Sequence, residues 1–166
     1  MILKIDVSDF KGIEGSSGLD IPALESKIGS CFASKDLMVC DVARVALTFV
    51  SKTDIKYLNS MYRDVPEPTD VLSFPLWEED GVFSPPPWRE ELPLGDVVVS
   101  PEFVRDNAGS GKIAYDGEMV LVVIHGILHL VGFDHDTEER RIAMWDLQER
   151  LRDSYFSGRS DEDWED

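Results

Sequence analysis

The chain has 166 residues, 43% of them hydrophobic, enough for one domain with a buried core. Lys and Arg number 16 against 33 Asp and Glu, a formal net charge of −17. That balance excludes nucleic-acid binding driven by the field of the whole molecule. It does not exclude a local basic surface, because screening confines each charge to about 8–10 Å at physiological salt.

The charge is uneven. Residues 1–60 carry eight acids and seven bases, whereas 75–93 carries five acids with Arg89, and 153–166 six acids with Arg159. Cys31 and Cys40 form no CxxC pair and read as ordinary thiols of a reducing compartment. The opening residues have neither a signal nor a transit pattern. The longest apolar run, 119–124, is far short of the ~20 residues a membrane span needs. The expectation is a cytoplasmic protein with no membrane contact.

In chain order, ILKIDV reads as a first strand, followed by a Gly/Ser loop. A helix is expected from Asp20 as N-cap, with Pro22 in its first turn, to about Ala33. DVARVALTFVS alternates: Ala43, Val45, Leu47 and Phe49 share one face, and Val42, Arg44, Ala46, Thr48 and Val50 a second, more open one. Ser51 and Asp54 are spaced like a capping box at the start of SKTDIKYLNSMY. Pro66 and Pro68 fix a loop before a short strand, VLSF. The acidic, proline-rich stretch 75–93 reads as a solvated insertion, with a lid as the alternative. LGDVVVS is a strand, and Ser100 with Pro101 opens a short helix that GSGK breaks. Asp116 is expected to cap the next helix, which runs through EMVLVVIHGILHLV and stops at Gly132. Asp136 or Thr137 starts the last helix, EERRIAMWDLQERLRDSYF, before a disordered SGRSDEDWED; the domain is expected to span 1–152, with 153–166 as an acidic, disordered tail. Helices and strands mix without strict alternation. The expected class is therefore α+β: one domain with a mixed sheet of about four strands around a central histidine-bearing helix.

All three histidines of the chain lie in HGILHLVGFDH, residues 125–135. His125 and His129 share one face of an apolar helix that should be buried. Buried imidazoles need hydrogen bonds or a metal, and two stacked a turn apart repel when both are protonated. A divalent metal answers both demands, because it binds neutral imidazole. Gly132 lets the chain reverse and return His135 to the same side. Three protein ligands leave a fourth tetrahedral position, the pattern of a catalytic zinc site. Zinc peptidases use this spacing with a glutamate after the first histidine as general base; here that position is Gly126. A glycine there also suggests that something packs close to the helix backbone.

HGILHLVGFDH closely resembles the histidine motif of the YbeY family, bacterial and organellar endoribonucleases of rRNA maturation. LNSMYR running into PTDVLSFP is similar to a second motif of that family, LGDVVVS to a third, and MWDLQERL to its helix after the histidines. The likeness covers roughly residues 42–151. It implies an α+β fold with the histidine helix central, and one Zn²⁺ (or another first-row divalent ion) on His125, His129 and His135. It also implies metal-dependent cleavage of single-stranded RNA at the 3′ end of small-subunit rRNA, in ribosome quality control as well, with partners on the small subunit or among its assembly factors. Arg63 and His125 are the functional positions it points to. Pro66 stands where relatives usually carry Asp, and 75–93 is longer than the family's usual connection.

Arg63 fits the chemistry, because a guanidinium fork matches phosphate oxygens. Asp70 and Ser73 fit either phosphate and outer-shell contacts or turn and strand roles. Asp134 fits either the orientation of a histidine ring or a turn carboxylate. Arg44 and Thr48, with Lys4, Lys52 and Lys56, are expected to supply the RNA-facing groove, with the acidic insertion and tail pointing away. Alternatives to the ribonuclease are a ribosome-assembly factor with a mainly structural metal and a metal hydrolase of another substrate. Gly126 counts against a peptidase.

Overall fold

Alternation along the chain sets the sheet. In β2 (Cys40–Phe49), Ala43, Val45, Leu47 and Phe49 are completely buried, while Val42, Arg44, Ala46 and Thr48 on the opposite face are only half-buried. β2 lies between two parallel neighbours, β1 (Ile2–Asp9) and β6 (Arg89–Val99), and β3 (Val71–Pro75) closes the other edge antiparallel to β6. The order β1-β2-β6-β3 is the mixed, four-stranded α+β sheet expected. The structure, a computed structural model, describes residues 1–16, 18–109 and 111–158.

Helices α1 (Ile21–Ser34), α4 (Lys112–Leu130) and α5 (Glu138–Ser157) build the main core with the inner face of the sheet. On the other face, α2 (Lys52–Arg63) covers only the β3–β6 end, through Ile55 against Val50, Leu72 and Val98. Local chemistry starts most of these helices. Asp20, Ser51, Ser100 and Thr137 each accept a hydrogen bond from the backbone N–H three residues on. Ser100 caps the short α3 (Pro101–Asn107).

Three expectations change. Asp116 is not a cap: α4 begins at Lys112, after Gly111 with φ +98°, so Asp116 lies inside the helix. The stretch 75–93 is largely solvent-exposed, as expected, but much of it is strand rather than irregular loop. Glu78–Glu79 and Val82–Phe83 form a hairpin, β4 and β5, whose two-residue turn, Asp80-Gly81, has both φ positive. Residues 89–93 already belong to β6, where Cys40 pairs with Arg89 and Leu92 is buried. Last, α5 runs to Ser157, close to the end its sequence predicts, so 153–157 belongs to the helix and not to the tail; the Tyr155 hydroxyl accepts from the Asp20 backbone N–H at 2.9 Å, tying the two helix ends together. Of the expected tail, 159–166 lies outside the described residues.

Residues 113–130 of α4 are long and apolar enough to cross a membrane, with mean hydropathy 1.4. Here they serve as the core helix: Met119, Val120, Val123, Ile124, Ile127, Leu128 and Leu130 are at most 1% exposed. The helix packs between the β3–β6 strands and α5.

Candidate metal centre and its cleft

α4 brings His125 and His129 onto one face, one turn apart, and the chain then reverses. Gly132 (φ +94°) donates to the His129 carbonyl, and Phe133 donates to that of Leu128. Gly132 has no room for a side chain, since a Cβ would sit 2.9 Å from that of Phe83 in β5. The hairpin therefore braces the turn that returns His135. Asp134 completes it, its carboxylate accepting from the His135 backbone N–H at 2.7 Å. That is the turn role, not the ring-orienting one. One ligand nitrogen from each of the three histidines falls within 4.8 Å of the others.

The environment of His125 and His129 favours their neutral form. Burial lowers the His129 pKa to about 4, with the His125 ring adding repulsion, and burial likewise lowers that of His125. The His125 ring is also fixed in orientation: its Nδ1–H donates to Oε1 of Gln148 at 2.9 Å. Gln148 is 3% exposed, a polar group set in the inward stripe of α5 beside Met144, Leu147 and Leu151. With Nδ1 carrying the proton, the Nε2 of a neutral His125 bears only a lone pair. It faces the His129 Nε2 at 3.0 Å. The His129 ring has a backbone hydrogen bond with Phe133 that favours its charged form, as a carbonyl acceptor does. Two imidazole nitrogens converging so closely, with their rings held from behind, fit a shared divalent cation. His135 is exposed, so the third side of the set is open to solvent. Three histidine ligands with one open side suit a reactive ion better than a closed structural one.

Gly126 shows why the peptidase glutamate has no place at this position. A Cβ would lie 2.6 Å from Val97 Cγ1 and 3.0 Å from Val71 Cγ2, so α4 touches the sheet at this point. Its carbonyl accepts from the buried Ser73 hydroxyl at 2.7 Å, which gives Ser73 a structural tie between β3 and the helix.

A cavity of about 220 Å³ joins the three histidines to Arg63, Asp70 and Ser73. A neighbouring one of about 260 Å³ joins Arg63 to Glu78, Phe83, His129 and His135. Arg63 is the last residue of α2, which stops at Asp64 in a left-handed conformation (φ 56°). Among the described residues it has no carboxylate partner. Asp70 lies across the same cavity, and its charge favours the protonated form of His125. The four residues singled out as metal ligands and phosphate contact thus meet in one cleft.

Two of the basic groups expected to supply the RNA-facing groove already have carboxylate partners. Arg44 is held by Asp6 at 3.2 Å and Glu91 at 3.3 Å, and Lys52 by Asp106 at 2.7 Å. The acidic stretch does not all point away: the Asp80-Gly81 turn folds it back, and Glu78 lines the cleft. Sequence reasoning missed Gln148, Glu78 and Phe83. The Asp-Gly turn and the lone glutamine in an apolar stripe were the available signals.

The family model described as endoribonuclease YbeY matches residues 19–155. The chain belongs to the YbeY endoribonuclease family. Endoribonuclease YbeY of Shouchella clausii is 38% identical over 133 residues, 78% of this chain and 82% of that protein. The Bacillus subtilis protein of the same name is 38% identical over 131 residues, 78% and 83% of the two chains. The solution structure of TM1509 from Thermotoga maritima superimposes with a TM-score of 0.59 at 32% identity, covering 93% of this chain and 91% of that one. The YbeY match starts just before the α1 cap and ends within α5, so it includes Arg63, all three histidines and Gln148.

Proposed function

We propose that this chain is a metal-dependent endoribonuclease that hydrolyses single-stranded RNA, acting in the cytoplasm on the 3′ end of small-subunit rRNA and in ribosome quality control. Family membership supports RNA as the substrate. The observation that carries the catalytic reading is that three converging imidazoles share a cavity with the Arg63 guanidinium, which has no carboxylate partner among the described residues. His125, His129 and His135 would hold one Zn²⁺, or another first-row divalent ion. When bound, such an ion supplies Lewis acidity toward water and phosphate oxygens.

The chain's own groups do the rest. Arg63 binds the scissile phosphate by paired N–H donors and balances the negative charge that grows in the transition state. Its placement at a helix end before a proline-fixed loop aims it at the histidines. His125, held by Gln148, keeps its free nitrogen directed into the cleft. The open side at His135 favours this over an assembly factor with a purely structural metal. Small-subunit components or assembly factors are the proposed partners.

The test is cleavage of a single-stranded rRNA 3′-end substrate by purified protein with defined Zn²⁺, beside His125→Ala and Arg63→Ala. Wild type should cleave, and both variants should lose most of the rate. Equal rates in all three would show that the activity belongs to a contaminant, and the enzymatic reading would fail.

A further inference from the structure

α2 ends with two adjacent residues of different chemistry. Arg63 lines the metal-side cavities, and both Tyr62 and Arg63 line a third, of about 610 Å³, with Phe74, Pro75, Glu78 and Asp80. The three cavities share Arg63 and Ser73, so this groove is a continuation of the metal cleft. Tyr62 is 63% exposed. Its ring is nevertheless ordered by an edge contact with Phe74, centroids 5.3 Å apart at 73°. An exposed aromatic ring, steadied by a second one, adds little to the core. It offers a flat apolar surface beside a phosphate-binding group.

The groove's charge narrows what fits. Glu78 and Asp80 on its rim repel a phosphate and accept hydrogen bonds from N–H groups. The unit of an RNA strand next to a phosphate that has a flat face and N–H donors is the base. We propose that this groove is a nucleobase subsite: the base flanking the phosphate on Arg63 stacks on Tyr62, with its N–H edge toward Glu78 and Asp80. This rests on the RNA reading above and adds a reason for single-strand preference, because a base stacked within a duplex cannot present its face to a tyrosine.

The experiment measures binding of the full-length, Zn²⁺-loaded protein to a fluorescent octacytidylate, whose bases carry an amino donor, by anisotropy. A second strand keeps the ribose-phosphate chain but lacks the bases. Both strands carry hydrolysis-resistant 2′-O-methyl phosphorothioate linkages, so the cleavage proposed above does not interrupt the titration, and a gel confirms that they stay intact. Tyr62→Ala should weaken octacytidylate binding roughly five- to a hundredfold, the range for loss of one stacked base. Tyr62→Phe should stay close to wild type. Tyr62→Leu keeps an apolar contact for Phe74 but has no flat face, so it should lose binding as alanine does. On the base-free strand all four proteins should bind alike. Equal octacytidylate binding by wild type and Tyr62→Ala would overturn the proposal and leave the ring to a protein partner. So would an equal loss on both strands. If wild type retains neither strand, the RNA reading itself fails and takes this proposal with it.

Discussion

Gln148 is the residue that links the core to the chemistry. Its Oε1 accepts from His125 Nδ1 and thereby selects which ring nitrogen faces the cleft. Gln148→Leu removes the acceptor while keeping the bulk, and should weaken Zn²⁺ affinity about 10- to 100-fold, measured by competition with a chromophoric chelator. An unchanged affinity would mean that the hydrogen bond is incidental. The histidines also set a pH dependence. The His129 pKa in the fold is about 4, below its ordinary 6.5, so the unfolded chain takes up a proton that the folded one resists. Metal-free protein should therefore lose thermal stability as pH falls from 6.5 toward 4, with no contribution from this group above that window. His129→Asn should flatten the fall in Tm measured in chelator, and a curve as steep as wild type would count against it. The three ligands were legible in the sequence because their spacing depends only on one helix and one glycine turn. Gln148 was not, since its partner lies 23 residues away and their meeting depends on how α5 crosses α4.

At the scale of elements, the readable features were local. The Ser51 cap, the Ser100-Pro101 start and the two faces of β2 follow from neighbouring residues, and the structure has them where expected. The start of α4 was misread because Asp116 looks like a cap, whereas Gly111 ends the preceding loop a turn earlier. The β4–β5 hairpin was passed over because acids and prolines around it suggested open coil, although Asp80-Gly81 between Glu78–Glu79 and Val82–Phe83 is a strong turn signal. α2 matters most for function, since it delivers Tyr62 and Arg63 from a cap at the opposite end. Ser51→Ala should cost about 1 kcal/mol in urea denaturation. It should leave Zn²⁺ affinity untouched, because none of the ligands lies on α2. A matching loss of metal would show that the helix and the metal centre are coupled.

The whole molecule reconciles a charge of −17 with a proposed RNA substrate by keeping attraction local. Arg44 and Lys52, which the sequence suggested as part of an RNA-facing surface, pair with carboxylates that come from other strands and helices. That pairing could not be read from the chain, because it depends on the order β1-β2-β6 and on where α3 lies. The guanidinium of Arg63, without a carboxylate partner among the described residues, lies in the cleft with the histidines. Everything proposed for this cleft depends on those three rings sharing one ion. The direct measurement is the metal content of carefully purified native protein, by mass spectrometry against chain concentration, beside His129→Ala. About one zinc-class ion per wild-type chain is expected, with most of it lost in the variant. A wild-type chain carrying well under one ion, or a variant that retains as much as wild type, would contradict the site.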